Sequence, residues 1–311
     1  MKILLALFFA FGVAFAKISV SVSVIPQAYF VERIAGDLVE VNIMVQKGKS
    51  PEMYEPSIKE LKSLSESQLY FNIGMPFENA WMKRFQGVNP KMKIIPPLKQ
   101  GELEAYLAKY GKKQTHDSSD DFHDEEHHHG DSVKHAHSHA HDSNNDSGDS
   151  HTHLPHIWLS FVLSQANANI IAESLCEIDT ANCPTYKANL ALLLKDIDSL
   201  WKHFKGVFGD KGGAFLVYHP AFSYIANELN LVEFAIEEDG KDAKITHTKA
   251  IFDLIKKHNI KSIFIQPQFS YKNAKIIAKE AKITLKTADP LAYDWIANIT
   301  EFLNEVANDN D

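Results

Sequence analysis

Eleven of the chain's sixteen histidines lie between positions 116 and 153, densest at His127-His128-His129 and in the alternating run His135, His137, His139 and His141. Neutral imidazole is the commonest side-chain ligand for borderline divalent metals, so such a tract can gather those cations. Its charge points the same way. Residues 115–153 carry ten acids against Lys134 alone, −9 of a whole-chain −8, which leaves the remainder at +1. The acidity is therefore concentrated where a cation would collect. A segment so poor in apolar side chains cannot offset the entropy of ordering and is expected to be mobile. A plain polar linker is the alternative, and metal capture is the reading adopted.

Four residues outside the tract could form a single N/O donor set: Glu52, His156, His219 and Asp289. Each stands at the end of a predicted element, two in each half of the chain. One histidine or aspartate in such a place is ordinarily a helix cap or a turn residue. Two imidazoles and two carboxylates at equivalent positions instead suit a buried divalent ion, whose charge the two carboxylates would neutralise. His203 and His258 fall at helix ends, where attraction to the dipole explains them. His247, in the acidic loop that begins at Glu237, is a candidate second cation contact. Trp158, Trp201 and Trp295 read as packing residues.

The elements that must position these groups alternate between strand and helix. In the first half, strands are predicted over 17–24, 39–45, 69–73 and 93–95. Helices follow over the segment opening at Pro26, over 57–67 (with Ile58, Leu61 and Leu64 on one face) and over 76–85. The middle is helical, over 159–177 and again over 186–204 behind Pro184, which suits a first helical position. Strands then recur at 215–217, 232–236, 262–265 and 283–287, with helices over 222–229, 248–258, 271–280 and 290–306. Such alternation implies an α/β fold: two Rossmann-like lobes with mainly parallel sheets, joined by a long rigid helix. Ligand sites then fall at the carboxyl ends of the strands, in the interlobe cleft.

The expected domain plan is a signal peptide over 1–16, an N-terminal lobe over 17–114, the histidine-rich loop over 115–153, the end of the first lobe over 154–183, a connecting helix over 184–206 and a C-terminal lobe over 207–311. The first sixteen residues pair Lys2 with an apolar run and end in Ala14-Phe15-Ala16, the pattern of a cleaved secretory leader and too short a run to span a bilayer comfortably. No cysteine follows that cleavage site, so no lipid anchor is expected there, and the mature protein is expected in a bacterial periplasm. Cys176 and Cys183 are expected to pair across a helix-to-helix turn in that oxidising compartment, with a two-cysteine metal site as the alternative. No basic stripe suggests nucleic acid.

The segments Ser50-Pro-Glu-Met-Tyr-Glu-Pro56, Pro155-His-Ile-Trp-Leu159, Tyr218-His-Pro-Ala-Phe-Ser-Tyr224 and Ala288-Asp-Pro-Leu291 resemble, in that order, the metal-binding receptors of bacterial ABC importers for zinc and manganese, the ZnuA/TroA-like cluster. The likeness covers essentially the whole chain after residue 16, and the acidic histidine-rich insert before Pro155 resembles the zinc branch. The resemblance implies one cation between two lobes, with His156, His219 and Asp289 as ligands. Glu52 falls where the family usually has its first histidine. A carboxylate can ligate zinc, but it is a harder donor and moves preference toward manganese or iron(II). Were Glu52 not to reach the ion, water, Glu55 or a tract histidine would take its place.

The implied function is a monomeric periplasmic receptor, not an enzyme, that binds Zn2+ (alternatively Mn2+ or Fe2+) in a roughly tetrahedral site and hands it to an ABC permease driven by a cytoplasmic ATPase. A zinc hydrolase is the competing class. It would need a general base beside an open metal position, and the chain has no His-Glu-x-x-His helix, Gly-x-Ser-x-Gly elbow or Walker loop. Gly212-Gly213 reads as a turn. Metal storage or adhesion through the tract alone is the remaining alternative.

Overall fold

The computed structural model describes residues 17–111, 156–237 and 245–311. The expected leader and the histidine-rich tract lie outside them, as does the side chain of His247. The first sheet is built from β1 (Ile18–Val22), β2 (Val39–Ile43), β3 (Leu69–Phe71) and β4 (Lys93–Ile95) in the order β2-β1-β3-β4. The second uses β5 (Gly213–Val217), β6 (Leu231–Ala235), β7 (Ser262–Ile265) and β8 (Thr284–Thr287) in the equivalent order β6-β5-β7-β8. Every strand pair is parallel, so the two sheets repeat one topology. In each, the order reverses between the first and third strands, which opens a crevice at their carboxyl ends.

Helices cover both faces of these sheets, and the strands are buried accordingly. β1 shows what that means for a pattern that alternates apolar and small polar residues. Val20 and Val22 enter the main core, while Ser21 and Ser23 point to the other face and are also fully buried. Their hydroxyls are satisfied there: Ser21 Oγ lies 2.6 Å from Ser67 Oγ, and Ser23 Oγ lies 2.6 Å from Tyr70 Oη and donates to Glu78. A second, smaller core lies in the second lobe, where Leu216 and Ile263 pack with Ile251, Ile255 and Ile277.

Around the first sheet stand α1 (Ile25–Ala35), α2 (Ile58–Ser65), α3 (Pro76–Val88), α4 (Glu102–Tyr110) and α5 (Phe161–Ile178), the last preceded by a 3-10 turn at Ile157–Leu159. The helix expected over 159–177 therefore begins after that turn, capped by the Ser160 side chain, which accepts from Leu163 N at 2.9 Å. Ile58 is not on the buried face of α2. It occupies the first helical position and is 87% exposed, whereas Leu64 is buried. α4 has no counterpart among the sequence expectations.

The connecting helix, α6 (Cys183–Phe208), has 26 residues, about 39 Å at 1.5 Å per residue. It packs on α1 and α5 of the first lobe and on the closing helix of the second, burying Leu193, Ile197, Phe204 and Phe208. Cys176 and Cys183 form a disulfide, as expected, that ties the end of α5 to the start of α6. The second lobe adds α7 (Ser223–Glu228), α8 (Ile245–Lys257), α9 (Lys272–Ala281) and α10 (Trp295–Asn310). α10 starts five residues later than expected because Asp294, rather than the Asp289-Pro290 pair, caps it, accepting from Ala297 N at 3.0 Å. No described helix is long and apolar enough to cross a membrane.

Two sets of buried bonds fasten the lobes around the segment that carries His156. Trp158 Nε1 donates to Pro290 O at 2.7 Å, and Trp295 Nε1 donates to Trp158 O at 2.6 Å. From α7, the buried Glu228 carboxylate accepts from Phe161 N at 2.7 Å, from Val162 N at 3.2 Å and from the Ser160 hydroxyl, closing the amino end of α5. Burial raises its carboxyl to about 7. Glu228→Ala would strand two buried donors and a half-buried one, and we expect it to lower unfolding free energy by at least about 2 kcal/mol, measured by urea denaturation at pH 6.

Candidate metal centre

Each strand of the second sheet delivers a polar residue to the crevice just beyond its carboxyl end: His219 after β5, Glu237 after β6, Gln266 and Gln268 after β7, and Asp289 after β8. The first lobe contributes Glu52 from the loop between β2 and α2. His156 arrives from the segment ahead of α5. Parallel sheets concentrate ligand groups in this way because all their strands end on the same side.

Glu52, His156 and His219 converge, with one ligand atom of each lying within 4.8 Å of the others. His156 and His219 are buried, and Glu52 is half-buried. The imidazole rings meet edge to face at 5.4 Å. His219 also stacks on Phe269 at 4.5 Å, which fixes its plane. Beside the three lies a cavity of about 10 Å³, lined also by Trp158, Gln268 and Phe269. That is room for one water-sized guest.

Hydrogen bonds outside the group set the orientation of His219. Its Nδ1 lies 3.0 Å from Glu237 Oε2, so Nδ1 carries the proton and Nε2 faces Glu52 and the cavity. The side-chain amide of Gln266 accepts from His219 N at 3.1 Å and donates to His219 O at 2.7 Å, clamping the backbone on both sides. Nε2 is 2.8 Å from Glu52 Oε1 but lacks the alignment of a hydrogen bond, which leaves a buried nitrogen without a hydrogen-bond partner among the described residues. An imidazole nitrogen aimed at a carboxylate and an atom-sized cavity, with a second imidazole beside it, fits a divalent cation.

Electrostatics divides the two histidines. Burial opposes a charge on His219, but Glu237 and Glu52 outweigh burial and raise it to about 9. Burial, reinforced by repulsion from His219, pushes His156 down to about 3. Burial would raise the Glu52 carboxyl, yet the neighbouring His219 leaves it below its ordinary value. With no cation bound, the group is thus a carboxylate, an imidazolium and a neutral imidazole.

Asp289 stands apart from the other three sequence candidates. It lies outside the group of converging ligand atoms, and its Oδ1 accepts from Gln268 Nε2 at 2.7 Å and from Leu291 N at 2.9 Å. Trp158 and Trp295 are buried packing residues as expected, although Trp158 also lines the cavity. Sequence reasoning did not select Glu237, Gln266 or Gln268. The one signal for them was position, since each falls one to three residues past a predicted strand, as His219 and Asp289 do.

Two parallel α/β lobes on a shared helix, meeting at a small pocket of histidine and carboxylate, define a bilobal binding protein. Residues 20–308 match the family described as ZnuA, zinc-uptake complex component A, periplasmic, and the chain belongs to that family. A crystal structure of ZnuA superposes with a TM-score of 0.76 at 30% identity, covering 95% of this chain and 100% of the other. A ZnuA deletion mutant with zinc bound gives 0.75, also at 30%, covering 95% and 99%. The zinc-binding protein AdcA of Streptococcus pyogenes serotype M3 is 26% identical over 301 residues, which is 94% of this chain and 55% of that protein. The chain therefore spans about half the length of the AdcA relatives it matches.

In the metal-free protein, we expect His219 to stay protonated up to about pH 9 and His156 to stay neutral down to about pH 3, read from ring carbon chemical shifts in an NMR titration. Because the His219 value is raised in the fold, its contribution to stability is complete below about pH 6.5 and is lost as pH rises toward 9.

Proposed function

We propose that this chain is a periplasmic receptor that captures zinc in the cleft and delivers it to an ABC permease, with a cytoplasmic ATPase driving uptake. The observation that carries the reading is the convergence of Glu52, His156 and His219 on an atom-sized cavity in a member of a zinc-uptake family. Glu52, His156 and His219 are the ligands, and Asp289 is the fourth, closing on the ion with its second carboxylate oxygen while Oδ1 stays with Gln268 and Leu291. Two imidazoles and two carboxylates then hold the ion with no net charge, which suits a buried site. The group is built for reversible capture rather than turnover.

Manganese or iron(II) is the second reading, favoured by the carboxylate that Glu52 brings to the converging group. The described residues contain no further cluster of three or more potential metal ligands. The leader over 1–16 fits export, and the acidic histidine-rich tract over 115–153 fits a weaker zinc-collecting segment near the tight site in sequence.

Titration calorimetry tests the ligand set. Zinc should bind at one tight site, and Glu52→Ala should weaken it by at least about a hundredfold, the upper end of what loss of an outer-shell partner costs. Because zinc must displace a single proton, from His219, affinity should rise about tenfold per pH unit between pH 5 and 8. Two unperturbed imidazoles would instead give no slope above about pH 6.5. Unchanged affinity in Glu52→Ala removes that residue from the site. Deleting residues 115–153 should leave the tight site and abolish the weak equivalents, and unchanged stoichiometry would defeat that role for the tract.

A further inference from the structure

Gln268 stands two residues beyond Gln266 on the loop after β7, and it lines the same cavity as Glu52, His156 and His219. Its two amide atoms are in very different situations. Nε2 donates to Asp289 Oδ1 at 2.7 Å. Oε1 is buried and has no hydrogen-bond partner among the described residues. The assignment of nitrogen and oxygen is chemically forced, because exchanging them would set an acceptor against the aspartate carboxylate. A buried carbonyl oxygen without a donor is costly and calls for an explanation, an absent ion being one. Among the described residues, the other buried side-chain atom of this cavity's lining that lacks a hydrogen-bond partner is His219 Nε2.

We propose that Gln268 is an additional residue of the cation site, its amide nitrogen orienting Asp289 while its amide oxygen serves as a neutral donor to the bound ion. The inference rests on the cleft being the cation site. Two features favour direct donation. The cavity, at about 10 Å³, has space for about one water-sized guest. Glu52 and Asp289 already match the charge of a divalent ion, so a further donor is best supplied by an uncharged group, and an amide oxygen is one. An added oxygen also hardens a donor set in which Glu52 replaces an imidazole, making the site more tolerant of manganese and iron(II) than a histidine-rich site would be.

The test uses the full chain and two variants, Gln268→Met, which keeps the side-chain length and removes both amide atoms, and Gln268→Asn, which withdraws the oxygen by one methylene. Zinc and manganese affinities are measured by competition, and the visible absorption of the cobalt(II) form reports coordination number. We expect both variants to weaken zinc about ten- to a hundredfold. Manganese should weaken more than zinc, and the cobalt bands should intensify toward those of a four-coordinate ion. Melting curves check folding, and if Gln268→Met does not fold, Gln268→Asn carries the same readings. Wild-type spectra and an unchanged zinc-to-manganese ratio in the variants, with tight binding retained, overturn the role of Gln268 and leave the receptor reading intact. Tighter zinc binding in either variant also overturns it, since Gln268 would then merely restrain Asp289. Absence of stoichiometric zinc or cobalt binding by the wild-type chain removes the receptor reading and this inference with it.

Discussion

The bond between Glu237 and Nδ1 of His219 is the contact on which the candidate metal centre depends. It commits the ring to presenting Nε2 toward Glu52 and the cavity, and it supplies the negative charge that keeps a buried imidazole protonated until something displaces the proton. Gln266 fixes the backbone beneath the same residue, and Phe269 holds its ring plane. His219 is thus oriented through three neighbours before any guest arrives. His156 is governed by burial, which keeps it neutral. Without a cation, one histidine is charged and the other neutral.

Rigidity elsewhere serves that geometry. The segment carrying His156 is short and irregular, and it would wander without its anchors. Trp158 bonds to the second lobe through both its indole nitrogen and its carbonyl, and Glu228 reaches from α7 to close the end of α5. α6 packs along both lobes. Glu52 is held differently. It sits in an irregular loop from the first lobe, next to Met53, which is 90% exposed. Asp289 is the other ligand candidate on a loop, tied to Gln268 and Leu291. The two carboxylates are therefore the adjustable members of the set, and the imidazoles are the fixed ones.

Much of this was legible in the chain. The alternation of strand and helix yields two parallel lobes, with β4 and β7 falling where the pattern places them and other strands differing by one or two residues at their ends. The disulfide followed from compartment and spacing. Ile58 went astray because its helix begins at that residue, so its side chain extends past the core instead of lying over a preceding turn. The closing helix began late because an aspartate five residues downstream makes the better cap. Neither outcome shows in periodicity, which records a face but not where that face ends.

Residue type and order alone determined the class of fold, the choice of Glu52, His156, His219 and Asp289, and the chemistry those groups share. These are local properties, carried by strand ends, turn residues and hydropathic period. The tertiary structure alone decided that three of the four converge while Asp289 turns to Gln268, that Glu237 is the partner of His219, and that one imidazole is charged and the other neutral. Those facts depend on distances between loops as much as 167 residues apart in sequence, from Glu52 to His219, and on burial, which belongs to the assembled fold and to no single segment.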